Sequence, residues 1–184
     1  MALPKALKII VNKLPKFRAN MELFDKEDVY VGVPSDHTER NDTNKVNNAV
    51  IAYTNDNGSP MMNIPARPFM RPGIENAKAD ISNAFKRGAK AVLKGNDGAI
   101  DIAMHQAGLI AQRSIRAAIN DGIPPPLADF TIRARSEKGS KGAKVEMKRR
   151  KEGEGPSASG SAKPLIVTGQ LRNSINYVIR SKNK

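Results

Sequence analysis

Residues 72–120, PGIENAKADISNAFKRGAKAVLKGNDGAIDIAMHQAGLIAQRSIRAAIN, contain two segments in which apolar residues recur at helical spacing. The first segment covers about 72–94 and the second about 98–120, and each places its apolar residues on one helical face. Only a few residues around KGNDG separate the two segments, and such a short connection predicts an antiparallel helix pair. The predicted apolar stripes are Ile74, Ala77, Ile81, Phe85 and Val92 in the first helix, and Ile100, Met104, Ala107, Ala111, Ile115 and Ile119 in the second.

Two short segments on either side of this pair alternate in the way that is typical of strands. Residues 28–34 carry a valine at every second position, and residues 175–180 alternate Ile175, Tyr177 and Ile179 with other side chains. Alternation with period two predicts strands with one buried face. We therefore predict that these two segments pair with each other in a small sheet.

Three further helices are predicted around this frame. Residues 3–17 have an amphipathic pattern interrupted by lysines, which favours an N-terminal helix over a signal-peptide core. Residues 46–53 return to helical spacing before the stop signal NDNGSP, and residues 127–135 predict one short helix. A length of 184 residues favours a single domain, 1–184. The predicted fold class is α+β, with a small antiparallel sheet packed against the N-terminal helix and the helix pair, plus a long basic loop.

A proline-rich arm, IPARPFMRP at residues 64–72, precedes the first long helix. Pro65, Pro68 and Pro72 lack amide donors, and each biases the residue before it toward an extended conformation. The arm is therefore predicted to be a stiff connector, neither a helix nor a central strand. Pro72 suits the first turn of the following helix, where a missing amide hydrogen costs little.

The charge of the chain is concentrated near its end. The formal net charge is +13, and the region Arg133–Lys184 carries most of this excess. Within it, residues 136–163 are rich in Gly, Ser, Lys and Glu, so we predict a long, flexible, basic insertion. Two interpretations stay open, a contact with an anionic partner and a solvated surface. The candidate DNA-facing or partner-facing residues are Lys138, Lys141, Lys144, Lys148, Arg149, Arg150 and Lys151.

Candidate catalytic and metal-binding residues are few. The chain has no cysteine, which excludes disulfides and thiolate chemistry and is typical of proteins that fold in a reducing compartment. Its two histidines, His37 and His105, lie in a polar loop and on a helix, without the spacing of a zinc site. No segment approaches the ~20 apolar residues of a membrane span. We therefore expect a protein that is not an enzyme, with no cofactor, no metal and no membrane partner.

Two blocks carry a resemblance to a known family: IPARPFMRPGIE at 64–75, which follows a helix ending in AVIAYTNDNGSP, and PLIVTGQLRNSI at 164–175. In this order they resemble the head-tail joining proteins of long-tailed bacteriophages, the tail-completion or tail-terminator family, over about residues 29–180. The arm matches at Ile64, Pro65, Ala66, Arg67, Pro68 and Phe69, and the second block matches at Thr168, Gly169, Leu171 and Ser174. The chain departs from the family pattern in NDNGSP, where a Glu-Phe-Gly-like helix end is common, and in its long basic segment.

The resemblance implies a structural virion protein of the phage neck. Such a subunit assembles into a ring, commonly a hexamer, that joins the tail tube to the head connector and leaves a passage for double-stranded DNA. It would lie in the virion, and in the host cytoplasm during assembly. The implied partners are copies of the chain, the tail tube protein, a head-completion or connector protein, and passing DNA without sequence preference. The residues implied at the subunit or ring interface are Arg67, Phe69, Met70, Arg71, Thr168, Leu171 and Arg172.

Other interpretations remain beside this one. Phe69 is also compatible with a role in the subunit's own core, where it would anchor the arm. The rival function is non-specific nucleic-acid binding through residues 138–151, which have the charge for phosphate contacts but lack aromatic residues between them. An enzyme would require acids that converge with His37 or His105 in a closed pocket.

Overall fold

A computed structural model of the chain describes residues 26–34, 46–96 and 98–182, together with the isolated positions 15, 18, 19 and 22. The predicted α+β class is confirmed: within these residues a two-stranded antiparallel sheet packs with six α-helices. The predicted N-terminal helix at 3–17 lies almost wholly outside the described residues. The elements are β1 (Glu27–Gly32), α1 (Asn48–Asn57), a 3-10 turn (Pro60–Met62), α2 (Met70–Leu93), α3 (Ala99–Asp121), α4 (Asp129–Glu137), α5 (Lys141–Lys151), α6 (Gln170–Ser174) and β2 (Asn176–Ser181).

The predicted helix pair is confirmed as α2 and α3, which pack against each other along their length. Small residues set this contact: a Cβ added to Gly73 would lie 2.7 Å from the Ile115 Cα, and one added to Gly88 would lie 2.5 Å from the Ala103 Cβ. The predicted stripe of α3 is buried throughout. The predicted stripe of α2 is partly wrong, since Ile74 is exposed. Close packing against α3 selects the smallest side chains along the line of contact.

The sheet joins the two ends of the described chain. β1 and β2 are antiparallel, with Val29 opposite Ile179 and Val31 opposite Tyr177. This confirms the predicted pairing of two segments that lie about 150 residues apart in the sequence. Both strands contact α3, so the sheet lies against the helix pair.

The main core lies where the arm, α3 and α6 meet. Phe69, Ile115, Ile119, Leu171 and Ile175 are almost fully buried and pack together. Burial of each such side chain contributes about 1.5–3 kcal/mol to folding. The arm and the C-terminal segment are thus held to the same side of α3 by one hydrophobic cluster.

The prediction of one long, flexible loop at residues 136–163 is wrong, because part of this segment is a helix. They contain α5, whose first turn is capped by the Ser140 hydroxyl, an acceptor for the Ala143 amide at 3.3 Å. α5 packs on α4 around a small cluster of Leu127, Ile132 and Ala143. The helix has no apolar stripe of large residues, because the side chains that it buries are Ala143 and Glu146. Hydrophobic periodicity therefore gives no signal there.

Candidate functional site

A short, hydrogen-bonded turn precedes the arm and exposes two methionines. Ser59 and Ile64 form an isolated antiparallel bridge, with N–O distances of 2.8 and 2.9 Å, and the 3-10 turn lies between them. At the tip of this turn Met61 is 100% exposed and Met62 is 71% exposed. Methionine side chains adapt readily to a partner surface, so this turn is a candidate contact surface. We call residues 59–64 the methionine turn.

Hydrogen bonds to α1 hold the arm against the rest of the subunit. The amide of Arg67 donates to the Asn55 carbonyl at 2.7 Å. The Asp56 carboxylate accepts hydrogen bonds from the amides of Phe69 (2.7 Å) and Met70 (3.0 Å), and so caps the first turn of α2 from another helix. A carboxylate at this position also interacts favourably with the helix dipole. The arm is therefore held in place before any partner binds.

Two residues predicted at the ring interface are instead part of the subunit core. Phe69 is 0% exposed and Leu171 is almost fully buried, so neither side chain reaches a neighbouring subunit. The alternative interpretation of Phe69 as an internal anchor is the one that fits the structure. Both residues are large and apolar, and the cluster around Ile115 and Ile119 buries them more fully than a surface contact would.

Arg67, also predicted at the interface, is buried at 7% exposure, whereas the remaining four predicted interface residues lie at or near the surface. Arg71 and Thr168 are exposed, and Met70 and Arg172 are half-buried. The guanidinium of Arg172 donates to the Asn120 side chain at 3.1 Å. These four residues remain candidates for contact.

The arm and the C-terminal block, about a hundred residues apart in sequence, meet at one pocket. This pocket, which we call the arginine pocket, has a volume of about 210 Å³ and is lined by Arg67, Arg135 and residues 168–171. Arg67 is 7% exposed, and its guanidinium donates from Nε to the Pro125 carbonyl at 3.0 Å and from Nη2 to the Pro126 carbonyl at 3.4 Å. Its Nη1 has no hydrogen-bond partner among the described residues.

Arg135, on α4, is the second cation of the pocket. Its Nη1 donates to the carbonyls of Lys163 and Ile166, both at 3.1 Å, and its Nε and Nη2 have no partner in the part of the chain that the structure describes. Burial lowers the pKa of Arg135, and repulsion from Arg67 lowers it further. Burial also lowers the pKa of Arg67. Neither guanidinium forms an ion pair with a carboxylate of the described residues.

The backbone beside Arg135 is strained. Leu165, which also lines the pocket, has φ +63°, a left-handed conformation that side-chain-bearing residues rarely adopt. Arg135 bonds the carbonyls of Lys163 and Ile166 on either side of it. Strain of this kind costs about 1–3 kcal/mol and persists only where surrounding contacts impose it. The guanidinium therefore also fixes the turn that closes the pocket.

The basic segment contains a buried acid that holds two of the predicted DNA-facing residues. Glu146 is fully buried and accepts hydrogen bonds from Arg149 (2.8 and 3.0 Å) and Arg150 (2.9 Å). Mainly through the Arg149 bonds, this environment lowers the Glu146 pKa to about 2, and Glu146 in turn raises the pKa of Arg149. Arg149 also pairs with Glu154, and Arg150 with Asp129. Both arginines are thus engaged within the subunit.

The lysines of the same segment lie on the surface. Lys148 forms only an exposed pair with Glu152, at 3.7 Å, and such pairs contribute little to stability. These side chains are the ones that can reach a phosphate backbone or an anionic partner. The exposed lysines of the predicted set are Lys138, Lys141, Lys144, Lys148 and Lys151.

Sequence patterns did not reveal three of the functional residues. Asp56 and Arg135 act on segments far from them in sequence, so no local pattern marks either one. Glu146 lies three and four residues before Arg149 and Arg150, a spacing that brings side chains together on a helix. That spacing was a usable signal, but only once a helix is assumed at 141–151.

A catalytic arrangement is not supported by the described residues. His105 lies 3.6 Å from Asp101 through Nε2 and 3.0 Å from the Tyr177 hydroxyl through Nδ1, but its side chain is half exposed and that of Asp101 more so. His105 and Asp101 therefore lie on an open surface, not in a closed pocket. Within the described ranges no group of three His, Cys, Asp or Glu side chains is placed to hold a metal ion, and no helix is long and apolar enough to cross a membrane.

No family model matches the chain, and neither a curated protein nor a solved structure matches it.

Proposed function

We propose that the protein is a structural subunit of a phage neck, a tail-completion or tail-terminator ring that joins the tail tube to the head connector. The observation that supports it is the arginine pocket, because both blocks that resemble that family line this one place. Surfaces that are fixed before binding lose less conformational entropy when a partner docks, which suits a protein that works by contact.

In the proposed ring the methionine turn supplies the contact with the neighbouring copy. It is apolar, exposed and already ordered, so little conformational entropy is lost when it docks. A contact that repeats head to tail from copy to copy closes into a ring when the rotation between copies permits it. The bore of that ring would pass double-stranded DNA.

The experiment is a mass measurement on the purified protein. Light scattering and native mass spectrometry, with and without the tail tube protein, should show a closed oligomer in at least one of the two conditions. A strictly monomeric species at high concentration in both conditions would contradict the ring.

The second candidate function is non-specific nucleic-acid binding, which is favoured by the exposed lysines of α5 and its flanks. The variant Lys141→Gln/Lys144→Gln/Lys148→Gln removes three of these charges and keeps Arg149 and Arg150, which are bonded to Glu146 inside the subunit. If DNA binding is the function, the slope of log affinity against log salt becomes shallower by up to about 0.9 for each phosphate contact that the substitutions remove. The ring proposal instead expects intact assembly of the free protein, with or without measurable DNA affinity.

A further inference from the structure

The two guanidinium groups of the arginine pocket are held in fixed positions and still have donors available for an anion. Arg67 is held by two carbonyls and Arg135 by two more, which fixes the direction of each guanidinium. Three of their donor nitrogens, Arg67 Nη1 and Arg135 Nε and Nη2, have no partner within the described ranges. Planar, fixed guanidinium groups with spare donors match the geometry of an oxyanion.

The electrostatics of the pocket also favour a bound anion. Two positive charges that share a small pocket repel each other, and the carbonyl oxygens that they bond carry only partial negative charge. Neither charge has an ionic partner among the described residues, and charges that are partly removed from water gain stability from one. An anion in the pocket would remove the repulsion and satisfy the spare donors at once.

We propose that the arginine pocket binds the side-chain carboxylate of an acidic residue from a protein partner that is not a copy of this chain. The volume of about 210 Å³ is smaller than the ~300–1,000 Å³ of small-molecule sites and suits one or two side chains. Leu127, Leu165 and Leu171 also line it, which suits the methylene groups of an acidic side chain and a neighbouring apolar residue.

The surroundings decide between possible anions. A phosphate of duplex DNA does not fit, because Arg67 is recessed at 7% exposure and the phosphates of a duplex stay on its rigid outer surface. The net charge of +13 favours an acidic partner over a second copy, which carries the same charge, and the proposed ring contact between copies uses the methionine turn instead of this pocket. A partner segment with acidic residues is attracted by that same charge.

The carboxylate site uses the pocket that also supports the ring proposal, but its test concerns the free subunit and does not depend on assembly. If both hold, the acidic segment belongs to the protein that stacks on the ring. A monomer that binds an acidic peptide would overturn the ring alone, and a ring that ignores the peptide would overturn the carboxylate site alone.

The test is an NMR titration of the arginine side-chain Nε–Hε signals. The probe is the peptide N-acetyl-Leu-Glu-Leu-amide, and the matched control is N-acetyl-Leu-Gln-Leu-amide. We expect the Glu peptide to shift the signals of Arg67 and Arg135 with saturation at a dissociation constant of about 1 mM or tighter, and the Gln peptide to leave them in place. Inorganic phosphate should bind more weakly than the Glu peptide. No saturable shift, equal shifts with both peptides, or tighter binding of phosphate would each overturn the proposal.

A second test compares two variants that keep both arginines, so the fold is not put at risk by removal of a guanidinium group. Thr168 is exposed and lines the pocket, so Thr168→Glu adds a tethered carboxylate next to the guanidinium groups, and Thr168→Gln is its uncharged match. We expect Thr168→Glu to melt about 3 °C above Thr168→Gln, with a smaller difference at high salt. Thr168→Glu should also lose the response to the Glu peptide. Equal melting temperatures of the two variants would contradict the carboxylate site.

Discussion

The ring of Tyr177 lies directly against Gly108, so closely that a Cβ on Gly108 would lie 2.3 Å from the ring Cδ2. This contact seats β2 on α3, and the Tyr177 hydroxyl lies 3.0 Å from His105 Nδ1 one turn away. The two rings meet edge to face at a centroid distance of 5.8 Å. The Tyr177 ring therefore leaves no space for a side chain at position 108.

We predict that Gly108→Ala destabilises the protein by about 1–2 kcal/mol. Alanine gains about 1 kcal/mol of helix propensity over glycine, but overpacking against a ring costs about 1–3 kcal/mol or more. The measurement is urea unfolding of the variant and the parent. In a Tyr177→Val background the same change should be neutral or stabilising, since the space is open. An equal loss in both backgrounds would show that the ring contact is not the cause.

The fold was largely predictable where periodicity is strong and local. The long helices and the two strands follow patterns in residues that are consecutive, and their pairing follows from a short loop and from the need to bury one face of each strand. The arginine pocket was not predictable, because Arg67 and Arg135 meet only when the arm and α4 both pack against the C-terminal block. Nothing in either residue's neighbourhood in sequence specifies that meeting.

The basic segment shows a different limit of prediction from sequence. The net charge of the segment predicted that its basic side chains lie on the surface, and the lysines do. Arg149 and Arg150 do not follow this prediction, because both guanidinium groups bond one buried carboxylate, that of Glu146. Counting charges does not distinguish a cation that is bonded inside the subunit from one that is available to a partner.

We predict that Glu146 makes stability depend on acid pH. Its folded-state pKa of about 2 lies below the ordinary value of 4.5, so the folded state binds this proton less tightly than the unfolded state does. The contribution is fully present above about pH 4.5 and is lost progressively as the pH falls toward 2, by about 3 kcal/mol in total. Chemical unfolding at several pH values between 2 and 6 measures it.

The variant Glu146→Gln should remove this pH dependence and lower stability at pH 7 by about 3 kcal/mol, because two arginines lose their buried partner. Glu152→Gln is the matched control, since Glu152 forms an exposed pair with Lys148. Its effect should stay within about 0.5 kcal/mol. If the two variants have the same acid profile, Glu146 is not the group responsible.

We predict that Asp56 contributes to the start of α2. Asp56→Ala leaves the amides of Phe69 and Met70 without their acceptor and should cost about 1–2 kcal/mol. Asp56→Asn keeps an acceptor oxygen and should cost less than half of that. Thermal unfolding followed by circular dichroism compares the two variants. A loss for Asn as large as that for Ala would mean that the charge, and not the hydrogen bonds, is the main contribution.

We predict that the methionine turn is needed for assembly but not for folding. Met61→Gln/Met62→Gln should leave the free energy of unfolding within about 0.5 kcal/mol, because both side chains are exposed in the subunit. Burial of a methionine at an interface contributes about 1.5 kcal/mol or more, so the oligomer should dissociate at least about tenfold more readily. Analytical ultracentrifugation measures this shift. Leu93→Gln is the control, since Leu93 is an exposed apolar residue at the far end of α2 from the arm. If this control weakens the oligomer as much as the double variant does, a general loss of surface hydrophobicity would be responsible and the proposed ring contact would be wrong.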